Sequence, residues 1–151
     1  AEAANMRRAA VALEPLARAL DQIVLRLSQS LSELKLDIVR DQAMLTCYPG
    51  EGSQYVRHID NANGPNKARV LTAIFYTNES WEPSHGGALR VFPRALSGTE
   101  VDVAPKHNRC VIFFSDARAP HAVLPSFADR FAVSFWYYDG DRMKELLSSE
   151  T

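Results

Sequence analysis

Along the first third of the chain, apolar residues recur at intervals of three and four. Leu13, Leu16, Leu20, Ile23, Val24, Leu27, Leu31 and Leu34 form the series, with Arg18, Asp21, Gln22, Arg26 and Gln29 between them. This spacing predicts an amphipathic helix over about residues 9–35. Its stripe is wide enough to pack on a sheet. A coiled-coil seam is the sharper reading, but Ser28, Ser30 and Ser32 late in the run argue against it. Pro15 fits best in the first turn, where its missing N–H costs nothing.

After Leu36 the period falls to two. Short apolar or alternating runs follow at Asp37 to Arg40, Ala43 to Tyr48, Tyr55 to Ile59, Arg69 to Tyr76, Ala88 to Phe92, Glu100 to Val103, Arg109 to Phe114, His121 to Leu124 and Arg130 to Tyr138. Turn-forming stretches separate them, among them Pro49 to Gly52 and Asn61 to Asn66. Asn78 to Ser84, with Trp81 and Pro83, reads as a surface loop. Many short strands with no helices between them predict an antiparallel sandwich or barrel. The fold class is mainly β with supporting helices: a jelly roll with the N-terminal helix packed on one face. Residues 1–151 read as one domain, with a β core over about 37–139 and a closing helix beginning near Glu145. Tyr137 and Tyr138 alternate in and out, so at most one should serve the core.

The composition is ordinary for a globular chain, 46% hydrophobic and 23% charged over 151 residues, with a formal net charge of −1. That balance argues against binding nucleic acid or an acidic membrane surface through bulk charge. No apolar stretch reaches the roughly 18 residues of a membrane span, and nothing reads as a signal peptide. Two cysteines, Cys47 and Cys110, are too few for a disulfide framework and read as reduced thiols buried in strands. Cytosol or nucleus is the expected location.

Candidate chemistry centres on the histidines. His85, before Gly86-Gly87, reads as a turn residue, and His107 as a loop residue. His58 differs, because Asp60 stands two positions on at a strand end. Strand alternation would turn both side chains to one face, offering an imidazole and a carboxylate to one divalent ion. His121, at the start of another apolar strand, is the candidate third ligand. Two histidines and one carboxylate on one face of a metal leave positions open, as in non-haem Fe(II) oxygenases. Arg130 opens the strand that runs to Trp136 and shares a face with Ala132, Ser134 and Trp136. An arginine facing a barrel interior needs an anion, and a dicarboxylate such as 2-oxoglutarate fits: one end chelates iron and the other pairs with the guanidinium.

The same stretches resemble a known family. Cys47 to Gly50, Tyr55 to Asn61, Gly86 to Pro93, Phe113 to Asp116 and Trp136 to Asp139 are similar to the catalytic core of the prolyl hydroxylases that act on hypoxia-inducible factor and of their protist relatives. The likeness runs from Met44 to Asp141. It implies a double-stranded β-helix that uses Fe(II), 2-oxoglutarate and O₂, with ascorbate as reductant, to hydroxylate proline in a protein, releasing succinate and CO₂. Such an enzyme can serve oxygen sensing. By the resemblance, His58, Asp60 and His121 are the iron ligands, and Arg130 and the Tyr76 hydroxyl bind the distal carboxylate of 2-oxoglutarate. Tyr48, Leu89, Val123 and Trp136 line that pocket, and Ser134 stands where the family often has threonine. Tyr55 lies near the iron mouth and Arg69 flanks the substrate groove. The expected partner is a proline-containing protein or peptide, and the expected state is a monomer. Asn61 to Ala68 is slightly longer than in the animal enzymes, and no counterpart is found for the substrate-closing loop and strand that precede the helix in the family.

Three rivals follow. The same chemistry could act on a ubiquitin-ligase adaptor. A jelly roll could serve as a non-catalytic binding module, for which a broken triad or a lost arginine would be the signature. A hydrolase could use Ser115, Asp116 and His121, but the first two are adjacent and point apart, and no nucleophile elbow surrounds Ser115.

Overall fold

The computed structural model describes residues 2–31, 34, 39–62, 67–96 and 98–149, with side chains from residue 11 onward except at 146, 147 and 149. Helix α1 (Glu2–Ser30) is followed by strands β1 (Val39–Arg40), β2 (Met44–Tyr48), β3 (Ser53–His58), β4 (Arg69–Tyr76), β5 (Leu89–Val91), β6 (Val101–Val103), β7 (Cys110–Phe114), β8 (His121–Ser126) and β9 (Arg130–Tyr138), then helix α2 (Gly140–Ser149). Asp37, Ile38 and the turn residues 63–66 lie outside the described residues.

All strand pairs are antiparallel and form two sheets. One runs β1-β9-β4-β7, with β2 continuing along the same edge of β9 as β1; the other runs β3-β8-β5-β6. Facing sheets with a helix outside one of them are the jelly roll that the pattern predicts. Among the described residues no helix is long and apolar enough to cross a membrane.

Alternation along the central strands sorts their side chains into two layers. Leu71 and Ala73 of β4 and Val133, Phe135 and Tyr137 of β9 meet Ala17, Leu20 and Val24 of α1 in one buried cluster. Ile74 and Tyr76 of β4 and Ala132 of β9 turn the other way, toward Leu89, Val91 and Val123 of the second sheet. The helical stripe is narrower than its sequence series. Leu20 and Val24 are buried, whereas Ile23, one residue around the helix from Val24, is exposed, and Leu31 lies past the helix end. The helix also starts and ends earlier than the 9–35 expected. Pro15 therefore falls in its interior rather than its first turn, where it leaves the Val11 carbonyl without its usual donor.

Two further expectations are corrected. Both Tyr137 and Tyr138 are buried. They do alternate, but β9 is covered on both faces: Tyr137 packs in the α1 layer, and Tyr138 packs with Ala68, Trp136 and Met143 of α2. Cys47 and Cys110 are free as expected but exposed. Both sit on outer strands of their sheet, β2 and β7. The expected surface loop begins with an anchor: Asn78 is buried, its amide donates to the carbonyls of Pro105 and Phe131, and its Oδ1 accepts from the Phe131 N–H. His85 closes a 3₁₀ turn (Pro83–His85) and His107 is an exposed turn residue.

Candidate active site

His58 closes β3, His121 opens β8, and the two are direct register partners. Their ring centroids lie 4.3 Å apart. Asp60 is past the strand end, in a turn, so strand alternation does not place it. Its N–H is held by the Ser115 carbonyl at 2.9 Å, and its side chain returns to the imidazoles. One ligand atom from each of the three residues falls within 4.8 Å of the others.

The tautomers follow from the partners. His58 Nδ1 lies 2.8 Å from the Val56 carbonyl and His121 Nδ1 lies 3.2 Å from the Ala119 carbonyl. A carbonyl only accepts, so each Nδ1 carries the proton and each Nε2 keeps its lone pair. Both Nε2 atoms face Asp60 Oδ1, at 3.4 and 3.8 Å. Burial pushes the Asp60 carboxyl up, but the His58 imidazole beside it, hydrogen bonds from Thr72 and Trp136 and the proximity of His121 outweigh it and hold the pKa at about 2. Burial also pushes His121 below the usual histidine range, against the pull of Asp60. At His58 burial acts downward too, but Asp60 and the Val56 carbonyl win and raise it. Two imidazoles with free Nε2 lone pairs beside an ionised carboxylate suit a divalent transition metal.

A cavity of about 530 Å³ opens over these groups. Its far end holds Arg130, only 3% exposed. The guanidinium lies 5.0 Å from the ring centroids of both Tyr48 and Tyr76. Its Nε donates to the Gly87 carbonyl at 2.6 Å and its Nη2 to the Tyr76 hydroxyl at 3.4 Å. Among the described residues no carboxylate lies within salt-bridge distance of it. Burial lowers its pKa, with Tyr76 and Tyr48 opposing. A buried guanidinium held only by neutral groups is an anion site.

Tyr48, Leu89, Val123, Ser134 and Trp136 line the cavity together with the three ligand candidates and Arg130. Tyr76 stands behind them, fully buried, and reaches the site through its hydroxyl. Tyr55 sits half-exposed at the rim, edge-on to His58 at 4.5 Å. Arg69 also borders the cavity, but its guanidinium is engaged: it stacks 4.2 Å from the Trp136 ring and bonds Asp41 and the Tyr138 hydroxyl. Trp136 is more than a wall, because its indole N–H donates to Asp60 Oδ2 at 3.1 Å. Sequence reasoning missed Thr72, Ser115 and Gly87. Thr72 shares a strand face with Tyr76 and could have been found by alternation; Gly87 and Ser115 fall in stretches that carry the family resemblance, but their residue types and spacing do not point to these contacts. Ser115 is fully buried and bonded to Thr72, which removes it as a hydrolytic nucleophile.

A profile of the 2OG-Fe(II) oxygenase superfamily matches residues 43–138. The chain belongs to that superfamily. Human prolyl hydroxylase EGLN3 is 47% identical over 107 residues, 70% of this chain and 44% of that protein. Human Egl nine homolog 1 is 41% identical over 123 residues, 81% of this chain and 28% of that protein. The chain thus spans less than half the length of these relatives. Among solved structures, a Trichoplax adhaerens prolyl hydroxylase in complex with a hypoxia-inducible factor peptide fragment superposes with a TM-score of 0.80 at 34% identity, covering 89% of this chain and 59% of that one. A Pseudomonas putida prolyl-4-hydroxylase gives 0.70 at 34%, covering 81% and 62%. The superfamily implies Fe(II) and 2-oxoglutarate, and the groups in the cavity suit both: two imidazoles and a carboxylate at one end, an arginine without a carboxylate partner at the other.

Proposed function

We propose that residues 1–151 form one catalytic domain that hydroxylates proline in a protein or peptide, consuming 2-oxoglutarate and O₂. The observation that carries this reading is the pairing, in one cavity, of the His58–Asp60–His121 cluster with the anion site at Arg130. Likeness to prolyl hydroxylases over the same residues supports the choice of substrate. The relative solved with a hypoxia-inducible factor peptide favours that class of substrate and a part in oxygen sensing. A ubiquitin-ligase adaptor is the alternative target.

In this reading the Nε2 atoms of His58 and His121 and Oδ1 of Asp60 hold Fe(II). Arg130 and the Tyr76 hydroxyl bind the distal carboxylate of 2-oxoglutarate, with Ser134 as a further hydroxyl on the same strand face. When bound, iron and co-substrate together supply oxidative decarboxylation to succinate and CO₂, coupled to oxygen insertion into a C–H bond. The chain's own contribution is position and exclusion of water. Tyr76 is held protonated by burial, its pKa pushed up to about 12, so it donates a hydrogen bond rather than adding charge. Leu89, Val123 and Trp136 keep the pocket apolar around the buried ion pair, which strengthens it. Tyr55 and Arg69 border the opening and would contact the peptide, Arg69 without leaving Asp41. Ascorbate would serve as reductant. One chain supplies every group named, which suits a monomer, and two free exposed thiols suit a reducing compartment such as cytosol or nucleus.

The test is incubation of the protein, Fe(II), 2-oxoglutarate and O₂ with proline-containing peptides drawn from hypoxia-inducible factor and from ubiquitin-ligase adaptors, followed by mass spectrometry. A gain of one oxygen atom at proline is expected. Turnover of 2-oxoglutarate with a free metabolite or nucleobase but with no proline peptide would keep the superfamily chemistry and remove the prolyl reading.

A further inference from the structure

Asp60 can present either carboxylate oxygen to an ion, because the Asp χ2 torsion is broad and soft. In this structure it is not free to choose. Oδ2 accepts from Thr72 Oγ1 at 2.6 Å and from the Trp136 indole N–H at 3.1 Å. Oδ1 alone faces the two imidazoles. Thr72 Oγ1 also lies 2.8 Å from Ser115 Oγ.

Counting protons fixes the direction of this chain. An ionised carboxylate has none to give, so the single hydroxyl proton of Thr72 goes to Asp60. Ser115 must then donate to Thr72. The relay runs Ser115 to Thr72 to Asp60 Oδ2, and each donor polarises the next. Ser115 acts on the same residue a second way, since its carbonyl accepts the N–H groups of Asp60 and Asn61 at 2.9 and 3.1 Å, while its own N–H is tied to the Val70 carbonyl. Thr72 is 1% and Ser115 0% exposed, so water does not compete for these bonds. The second donor is supported in turn: Arg69 lies over the Trp136 ring, and a cation on that face makes the indole N–H a better donor.

We infer that Thr72 and Ser115 are positioning residues that hold Asp60 to a single metal-facing oxygen, keeping a coordination position that a two-oxygen grip would occupy. This rests on reading His58, Asp60 and His121 as the metal site. Without the clamp the carboxylate can rotate, lose its aim, or give both oxygens to the ion.

The experiment uses Co(II) as an O₂-inert probe, titrated into the full chain and followed by calorimetry and by visible absorption. Thr72→Val keeps the shape and removes the hydroxyl. It should weaken Co(II) binding by roughly 10- to 100-fold, the usual range for groups that orient a metal ligand, and shift the visible bands. Thr72→Ser keeps the hydroxyl and should restore both. Ser115→Ala should shift the bands in the same direction by a smaller amount, which provides the reading if Thr72→Val does not fold. Lowered thermal stability with wild-type Co(II) affinity and spectrum in both variants would mean a purely structural role and would overturn the inference. Absence of one-to-one Co(II) binding to the wild-type chain, or binding that survives His58→Ala unchanged, would overturn the metal site itself and the clamp with it.

Discussion

Arg130 is the residue on which the co-substrate reading turns, and its position depends on Gly87. The Gly87 carbonyl takes the Arg130 Nε proton, and a Cβ at Gly87 would stand 2.8 Å from both Arg130 Cδ and Ser126 Oγ. Gly87 also has φ of +69°, a region costly for other residues. Arg130→Ala should weaken 2-oxoglutarate binding by about 3–5 kcal/mol, because it leaves a buried carboxylate unpaired. Gly87→Ala should weaken it by about tenfold or more through displacement of the guanidinium, with Co(II) affinity retained. Calorimetry with 2-oxoglutarate on the Co(II)-loaded protein checks both. Wild-type affinity in Arg130→Ala would show that the anion site is elsewhere. At this scale the sequence was informative where residue type and spacing coincide with strand ends. His58, His121 and Arg130 all stand at such ends, so the pattern alone brought them forward. Thr72 is an ordinary residue of β4 and Ser115 stands just past the end of β7; their role depends on a turn that returns Asp60 to them, and turn geometry is not written in periodicity.

Among the elements, α1 and the outer face of β4 and β9 form a layer separate from the cavity. Leu20 is 2% exposed in that layer. Leu20→Ala should cost about 2–5 kcal/mol of folding stability, read as a lower denaturation midpoint, while Co(II) and 2-oxoglutarate affinities stay unchanged at temperatures where the variant is folded. Loss of metal affinity in the folded variant would show that helix and site are coupled. The elements were largely legible because apolar alternation survives in every long strand. Errors arose where covering elements decide burial. β9 is enclosed by α1 on one side and by the second sheet and α2 on the other, so both tyrosines at its end are buried. Cys47 and Cys110 lie on outer strands and stand exposed despite apolar neighbours. Pro15 misled for a different reason: its preference for a first turn is weaker than the packing of the turns around it.

For the whole molecule, burial of phenols predicts how stability responds to alkali. The Tyr76 pKa is raised to about 12, burial being the main cause and Arg130 opposing it. A phenol in the unfolded chain ionises near pH 10. The stability Tyr76 contributes by staying protonated is therefore complete below about pH 10 and is lost as pH rises toward 12, roughly 2–3 kcal/mol in all. Burial also raises Tyr48, Tyr137 and Tyr138, so their losses fall in the same direction. Tyrosinate absorbance and circular dichroism should change together in an alkaline titration, and Tyr76→Phe should make the loss shallower. Ionisation of Tyr76 near pH 10 in the folded protein would contradict its burial beside Arg130.

The central claim is that one cavity couples 2-oxoglutarate oxidation to proline hydroxylation, and oxygen-isotope tracing tests it most directly. The protein would be incubated with Fe(II), 2-oxoglutarate, a proline peptide that it accepts, and ¹⁸O₂ in ordinary water. The account predicts one heavy oxygen in the peptide's hydroxyproline and one in succinate, in equal amounts, with neither formed by His58→Ala or His121→Ala. Hydroxyproline carrying oxygen from water, or undiminished labelling in those variants, would contradict it.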